Sequence, residues 1–283
     1  MFNPESVDQY ISKEAQHSAM VKPNQPCTIA LAAQSCTVVI PCYNEEARFQ
    51  AEEFKRFLLT SESTNVRLLF VNDGSRDGTL SVLQRLRDDF PDRVCVLNQE
   101  TNRGKAEAVR HGMLHVIADG GSAFTGFWDA DLATPLIQIL DFMGILTSHR
   151  GFSMVFGARV RLLGRKIERQ AIRHYLGRCF ATAVSVLLRI PVYDTQCGAK
   201  LFRVTPELEI VLAEPFHSRW IFDVEILARF LALKDGDVAW LESALYEFPL
   251  PEWTDVKGSK VRSGDFLRAI TELAFIYRRH FAR

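Results

Sequence analysis

Apolar, β-branched runs recur through the first half of the chain: TVVIPCYN from Thr37, VRLLFVND from Val66, RVCVLNQ from Arg93, FTGFWDAD from Phe124 and SMVFGARV from Ser153. Their starts lie 29, 27, 31 and 29 residues apart, the size of one strand plus one crossover helix. Between them the apolar positions take helical spacing over 45–61, 77–90, 103–119 and 135–149. Asp77, an N-cap acid, and Pro135, at a first turn, mark two of the helix starts. Strands apolar on both faces, alternating with helices, predict an α/β domain whose mostly parallel sheet is flanked by helices.

Past residue 160 the rhythm changes. Ile172, Leu176, Phe180, Val184 and Leu187 form a helical stripe within 169–188, with basic residues on the opposite face. AKLFRV predicts a strand after the polar DTQCG. A helix is expected over Phe222–Leu233, a strand near Val238–Phe248, and a last amphipathic helix over 265–283. Residues 1–35 lack the pattern and read as an N-terminal extension.

Composition narrows the class. Of 283 residues, 47% are hydrophobic and 24% charged, ordinary for a globular chain and wrong for a disordered one. Lys plus Arg equals Asp plus Glu at 34 each, so no global field draws in nucleic acid. The charge is uneven locally: 148–190 carries nine basic residues against Glu168, and 257–283 carries seven against two acids. Two basic zones on a neutral protein suggest a localised anionic partner, phosphate or a lipid surface. No apolar run approaches the ~18 residues of a spanning helix. The first twenty residues also lack the basic and apolar regions of a signal peptide. The six cysteines at 27, 36, 42, 95, 179 and 197 form no CxxC pair, so reduced thiols in a cytoplasmic chain are expected, with Cys42 and Cys197 as small packed residues.

In a parallel sheet, ligands bind beyond the carboxyl ends of the strands. Those ends here are Pro41-Cys42-Tyr43-Asn44-Glu45, Asn72-Asp73-Gly74-Ser75, Gln99–Lys105 and Asp129-Ala130-Asp131. Asn44 also suits a helix cap and Asn-Asp-Gly-Ser a turn, but four polar motifs on four successive strand ends point to a site. No GxGxxG opens the first unit, and Gly104-Lys105 is followed by Ala106, so neither a dinucleotide fingerprint nor a P-loop is present. Asp129 and Asp131 suit Mg²⁺ or Mn²⁺ bridging a diphosphate.

VVIPCYNEE, VNDGSRDGT, NRGKAEAVRHG and DADLATP resemble the nucleotide-binding half of glycosyltransferase family 2, which has a GT-A fold. DTQCGAKLFR, RWIFDVEIL and EWTDVKGSKV resemble the dolichyl-phosphate β-glucosyltransferase subgroup and its bacterial relatives. The likeness runs from about Cys36 to the C-terminus, with Asn72 standing where the family often has Asp. It implies a division into an extension (1–35), a nucleotide-sugar-binding half (36–160), an acceptor-side half of the same domain (161–263) and a C-terminal basic amphipathic helix (264–283). It also implies roles. Pro41, Tyr43, Glu45 and Asp73 would contact uracil and ribose, with Lys105 nearby; Asp129 would touch ribose or sugar, and Asp131 would ligate the metal. Arg169, Lys200, Arg203 and Lys260 would neutralise phosphate on donor or acceptor. Trp220 reads as an acceptor contact or a shape-setting residue, and Asp223 sits where some members place a catalytic base.

The function this implies is inverting, metal-dependent transfer of a hexose, glucose first, from a UDP-sugar to a polyprenyl phosphate. The membrane anchor of eukaryotic members has no counterpart in residues 1–35, so peripheral association with an anionic membrane surface, at the inner face of the cell membrane, is expected. The same chemistry onto a saccharide or protein hydroxyl stays open. A non-catalytic sugar-nucleotide-binding subunit is opposed by the intact DAD. A sugar-nucleotidyltransferase is opposed by PCYNEEARF, which lacks the glycine-rich phosphate loop.

Overall fold

The first-half rhythm is realised in order as β1 (Cys36–Cys42), α1 (Ala51–Leu59), β2 (Val66–Asp73), α2 (Thr79–Asp89), β3 (Val94–Gln99), α3 (Lys105–Asp119), β4 (Phe124–Trp128), α4 (Gln138–Ser148) and β5 (Met154–Ala158). A computed structural model of the chain describes residues 35–168, 171–256 and 264–280. The second half adds β6 (Lys166–Glu168), α5 (Ala171–Leu188), β7 (Ala199–Arg203), α6 (Pro206–Ala213), α7 (Phe222–Leu233), α8 (Val238–Ala244), β8 (Leu245–Pro249), β9 (Glu252–Thr254) and α9 (Gly264–His280). The extension over 1–34 lies outside the described residues.

Among the described residues the main sheet has seven strands in the order β3-β2-β1-β4-β7-β5-β8, and β6 pairs with β9 in a separate ribbon. β7 runs antiparallel between β4 and β5, while the remaining pairs of the main sheet are parallel. Alternation along each strand feeds two cores. Val39, Val71, Phe127, Phe156 and Phe202 point to the layer holding α3, α5, α6 and α7. Val38, Ile40, Phe70, Val155 and Leu201 point to the layer holding α1, α2 and α4. Both faces are therefore covered, as the continuous apolar strands require.

Two expectations need correction. The first helix begins at Ala51 rather than Glu45, because 44–50 is spent on turn contacts described below. The stretch expected as a strand near Val238–Phe248 is helical over Val238–Ala244 and only then extended. Asp237 caps that helix by accepting from Trp240 N–H at 2.9 Å. Along α9, Ala269, Leu273 and Ile276 are buried in the core beside α7, while Phe275 and Tyr277 are exposed. Among the described residues, no helix is long and apolar enough to cross a membrane.

Candidate active site

The strand order reverses between β1 and β4, so their carboxyl ends open a crevice where a ligand can sit. The loops around it are tied to one another by side chains. Asn44 N–H donates to Ser75 Oγ at 3.0 Å, and Arg76 N–H donates to Asn44 Oδ1 at 2.9 Å. Asn44 holds a positive φ of 51°, which asparagine tolerates better than most residues. Glu45 N–H donates to Thr79 Oγ1 at 2.8 Å, and Gly78 N–H to Glu46 Oε2 at 2.8 Å. Asp73, 2% exposed, accepts from Arg103 N–H at 2.7 Å, Gly104 N–H at 2.9 Å and Asn102 Nδ2 at 2.9 Å. Its carboxylate thus fastens the loop after β3 to the end of β2. Asn72 fits by donating from Nδ2 to Asn98 Oδ1 on the neighbouring strand at 2.7 Å.

Pro41 and Tyr43 are half-buried where β1 ends, and Glu45 is buried. The Glu45 carboxylate pairs with Arg48, a residue the motifs did not single out. That bond holds the Arg48 pKa above its ordinary value, and Asp131 and Asp129 add to the effect. Arg48 is therefore held by Glu45 within the field of the acid pair.

β4 delivers both acids on one turn. Leu132 N–H donates to Asp129 O at 3.2 Å, and Leu132 carries a φ of 55°, uncommon for a bulky residue and frequent where a site fixes its backbone. Ala133 N–H donates to Asp131 Oδ1 at 3.1 Å, and Gln50 Nε2 donates to Asp131 O at 3.1 Å. Lys105 Nζ lies 2.5 Å from Asp129 Oδ1. Behind the pair, Asp129 N–H donates to Gly198 O at 2.9 Å. A Cβ at Gly198 would fall 2.0 Å from Asp129 Oδ2, so the glycine of QCGAK is needed for the carboxylate to lie where it does.

The charges are coupled. Loss of hydration pushes the Asp131 pKa up, and Asp129 adds to the push. Loss of hydration also opposes the charge on Lys105, but Asp129, Asp223 and Asp131 outweigh it and raise the pKa of the ammonium. Asp223 opens α7 and is 5% exposed. Burial raises its pKa against the opposing pull of Lys200 and Lys105. Asp129, Asp131, Lys105 and Asp223 thus share one electrostatic site.

Two of the expected phosphate contacts are corrected. Lys200 is 0% exposed. Its ammonium sits 2.6 Å from Asp223 Oδ1, bonds to Cys197 O, and lies 5.2 Å and 4.8 Å from the Phe127 and Phe156 rings. It is a counter-charge inside the core, with no surface to offer a phosphate. Arg203 lies at the other end of the sheet, because antiparallel β7 sets it opposite Phe124, the first residue of β4. There it donates to Leu146 O at 2.5 Å, at the carboxyl end of α4. Arg169 and Lys260 lie outside the described residues. Trp220 is partly exposed in the loop leading into α7.

Sequence reasoning also missed what holds the DTQCG loop. Arg159 grips Asp194 through Nε at 2.6 Å and Nη2 at 2.8 Å. Glu247 accepts from Tyr193 N–H at 2.7 Å and Asp194 N–H at 2.8 Å. These partners are 35 to 54 residues apart, and no local pattern announces them.

Among the described residues, no three His, Cys, Asp or Glu side chains cluster to hold a metal by themselves. The donor set is the pair Asp129 and Asp131, with Lys105 already on Asp129. Two carboxylates on one turn at the crevice, with the Asp131 pKa raised by burial and then by Asp129, fit a hard divalent ion that takes its other oxygens from a diphosphate and water. They do not fit a closed structural site.

The crevice, the acid turn and the sheet order define a GT-A fold, and residues 37–208 match the model of glycosyl transferase family 2. The chain belongs to that family and is a glycosyltransferase. It is 30% identical to dolichyl-phosphate beta-glucosyltransferase ALG5C of Trichomonas vaginalis, over 97% of this chain and 79% of that one. To the dolichyl-phosphate beta-glucosyltransferase of Saccharomyces cerevisiae it is 30% identical, over 80% and 68%. In fold it is similar to glucosyl-3-phosphoglycerate synthase of Mycobacterium tuberculosis in complex with UDP. That match has a TM-score of 0.59 at 18% identity and covers 90% of this chain and 86% of the other. The same synthase in complex with Mn²⁺, UDP and glucosyl-3-phosphoglycerate gives 0.58 at 19% identity, covering 90% and 85%.

Proposed function

We propose that the chain transfers a hexose, glucose first, from a UDP-sugar to a polyprenyl phosphate with inversion, at the cytoplasmic surface of a membrane to which it binds peripherally. The observation that carries this reading is the state of Asp223, an acid of the second half that is coupled to Lys105 and Asp129. It is 5% exposed and held by the Lys200 ammonium, so its carboxylate is engaged inside the protein and little open to an acceptor hydroxyl. A hydroxyl acceptor needs a base; a phosphate monoester, with a second pKa near 6, is mostly dianionic at pH 7. The relatives named for dolichyl phosphate support the same acceptor class.

In this reading 36–160 binds the donor and 161–263 serves the acceptor. Pro41, Tyr43 and the loops fastened by Asp73 receive uracil and ribose. Asp131, with Asp129, would hold Mg²⁺ or Mn²⁺, which when bound supplies positive charge to the diphosphate. Lys105 pairs with Asp129 and holds it in place, and Arg48, fixed by Glu45, adds positive charge to the field of the acids. With Lys200 and Arg203 committed elsewhere, Arg169 and Lys260 are the candidates for the acceptor phosphate, since such side chains complement phosphate without deprotonation. The carbon–oxygen bond to the departing UDP breaks as an acceptor phosphate oxygen attacks the anomeric carbon from the opposite face.

The test is incubation with radiolabelled UDP-sugars and undecaprenyl or dolichyl phosphate. Label should pass into organic solvent, most from UDP-glucose, and EDTA should stop it. Asp223→Asn should then cost roughly tenfold or less, whereas loss of a needed general base costs roughly 10²–10⁴-fold. Label moving only onto a soluble glycan, with kcat collapsing in Asp223→Asn while donor binding is intact, would replace the phosphate acceptor by a hydroxyl.

A further inference from the structure

Between β5 and β6 the chain makes a tight turn whose tip is apolar. Leu163 is 104% exposed and Leu162 50%. Arg161, Arg165 and Lys166 beside them are also exposed, and no acid occurs between Arg159 and Glu168. A lone exposed leucine is ordinary. Two adjacent ones at the tip of a wholly basic turn combine apolar area with positive charge, the pairing that an anionic lipid surface attracts.

The turn is built to hold its shape. Arg165 N–H donates to Leu162 O at 3.1 Å, and Gly164 supplies a φ of 81° that a side chain would strain. At its base, Ile167 pairs with Trp253 across the β6–β9 ribbon, both buried. Lys166 N–H donates to Pro251 O at 2.9 Å, and the Arg159 guanidinium lies 5.2 Å from the Trp253 ring centre. The finger is therefore pre-ordered, and insertion need not first fold a loop.

Its position relates it to the site. β5 is parallel to β4 in the sheet, each running antiparallel to β7, so the turn leaves from the same carboxyl rim as Asp129 and Asp131. The ribbon is also tied to the acid turn, where Thr254 N–H donates to Ala133 O at 3.1 Å. Ala133 stands two residues after Asp131.

We infer that the Leu162–Leu163 turn is a wedge that enters the headgroup region of an anionic bilayer and holds the catalytic rim against the lipid. The inference rests on the reading that the acceptor is a lipid phosphate, and it assigns the contact to this turn. Arg161, Arg165 and Lys166 lie against headgroup phosphates while the two leucines leave water.

Co-sedimentation of the full chain with vesicles of phosphatidylglycerol and phosphatidylcholine, against phosphatidylcholine alone, is the test. Wild type should bind the anionic vesicles at low salt and release as salt rises. Leu162→Ser/Leu163→Ser should weaken binding roughly tenfold or more, with an unchanged thermal midpoint because both side chains are outside the core. Arg161→Gln/Arg165→Gln/Lys166→Gln should weaken it too and flatten the salt dependence. The inference is overturned if the double serine variant binds like wild type, or if wild type self-associates through the turn and ignores vesicles. Transfer to a short-chain prenyl phosphate dispersed in detergent separates this from the acceptor reading. The serine variant should keep that activity, whereas an inactive wild type there would sink the acceptor and leave the vesicle result standing.

Discussion

Asp223 and Glu225 lie two residues apart in the first turn of α7, both buried, and their surroundings send them in opposite directions. Asp223 has Lys200 as its close partner, and burial prevails, raising its pKa. Glu225 would be raised by burial too, but Arg229 and a set of amides hold it below its ordinary value. It accepts from Arg229 Nη2 at 2.8 Å, Ser218 N–H at 2.9 Å and His217 N–H at 3.0 Å. Arg229 in turn donates to Val211 O, Glu214 O and Pro215 O at 2.7–2.9 Å. A carboxylate whose lone pairs are all used is a structural clamp, here locking the 214–218 loop onto α7. One held by a single ammonium beside the acid turn, with burial raising its pKa, stays responsive to the other charges of the site.

The contrast can be broken from either side. The largest effect is expected at the rim: Asp131→Ala should lower kcat by roughly 10²–10³-fold or more, because charge developing on the leaving diphosphate loses its counterweight. Its thermal midpoint should stay near wild type, since Asp131 faces the crevice, and a large drop in midpoint would show that the acid turn is structural. Glu225→Ala should do the reverse. Removing one partner of a buried ion pair costs about 3–5 kcal/mol, to be read by urea unfolding, and a near-neutral result would dissolve the distinction between the two carboxylates.

The smallest effect concerns pH. His280, near the end of α9, has its pKa lowered to about 4, chiefly by burial. The folded state therefore resists a proton that the unfolded chain accepts near pH 6.5, so stability is lost as pH falls from about 6.5 towards about 4. His280→Gln should flatten that part of the stability profile, as measured by unfolding at several pH values. An unchanged slope would place its origin elsewhere.

Much of the rim could be read from the sequence because its residues follow directly on apolar strands. Asn44, Asp73, Asp129 and Asp131 each end a run whose period declares it. The second half resisted for two physical reasons. Lys200 looks like a phosphate ligand in AKLFRV, but its counter-charge arrives 23 positions later in the chain, and only tertiary packing reveals that both are interior. Arg203 was misplaced because the direction of β7 decides which end of the sheet a residue occupies, and strand direction leaves no trace in composition. α6 had a usable signal, Thr205 followed by Pro206 and Glu207, and Thr205 does accept from Leu208 N–H. Arg48 had none, because its role depends on where the chain turns after β1.

The place of β7 also has a bearing on biosynthesis. β3, β2, β1 and β4 form a contiguous set, yet β5 has no neighbour in it until β7 slides between β4 and β5. A ribosome releasing this chain from the N-terminus has therefore made residues 154–158 well before the strand that seats them. During that interval β4 shows an unpaired edge, the kind of surface that invites wrong pairing between nascent chains. Cutting the gene between the two halves would make the exposure permanent, so the halves should fail to fold when expressed apart and recover when made together. What welds the domain is a single antiparallel strand, and it is also the strand that carries Lys200 to Asp223.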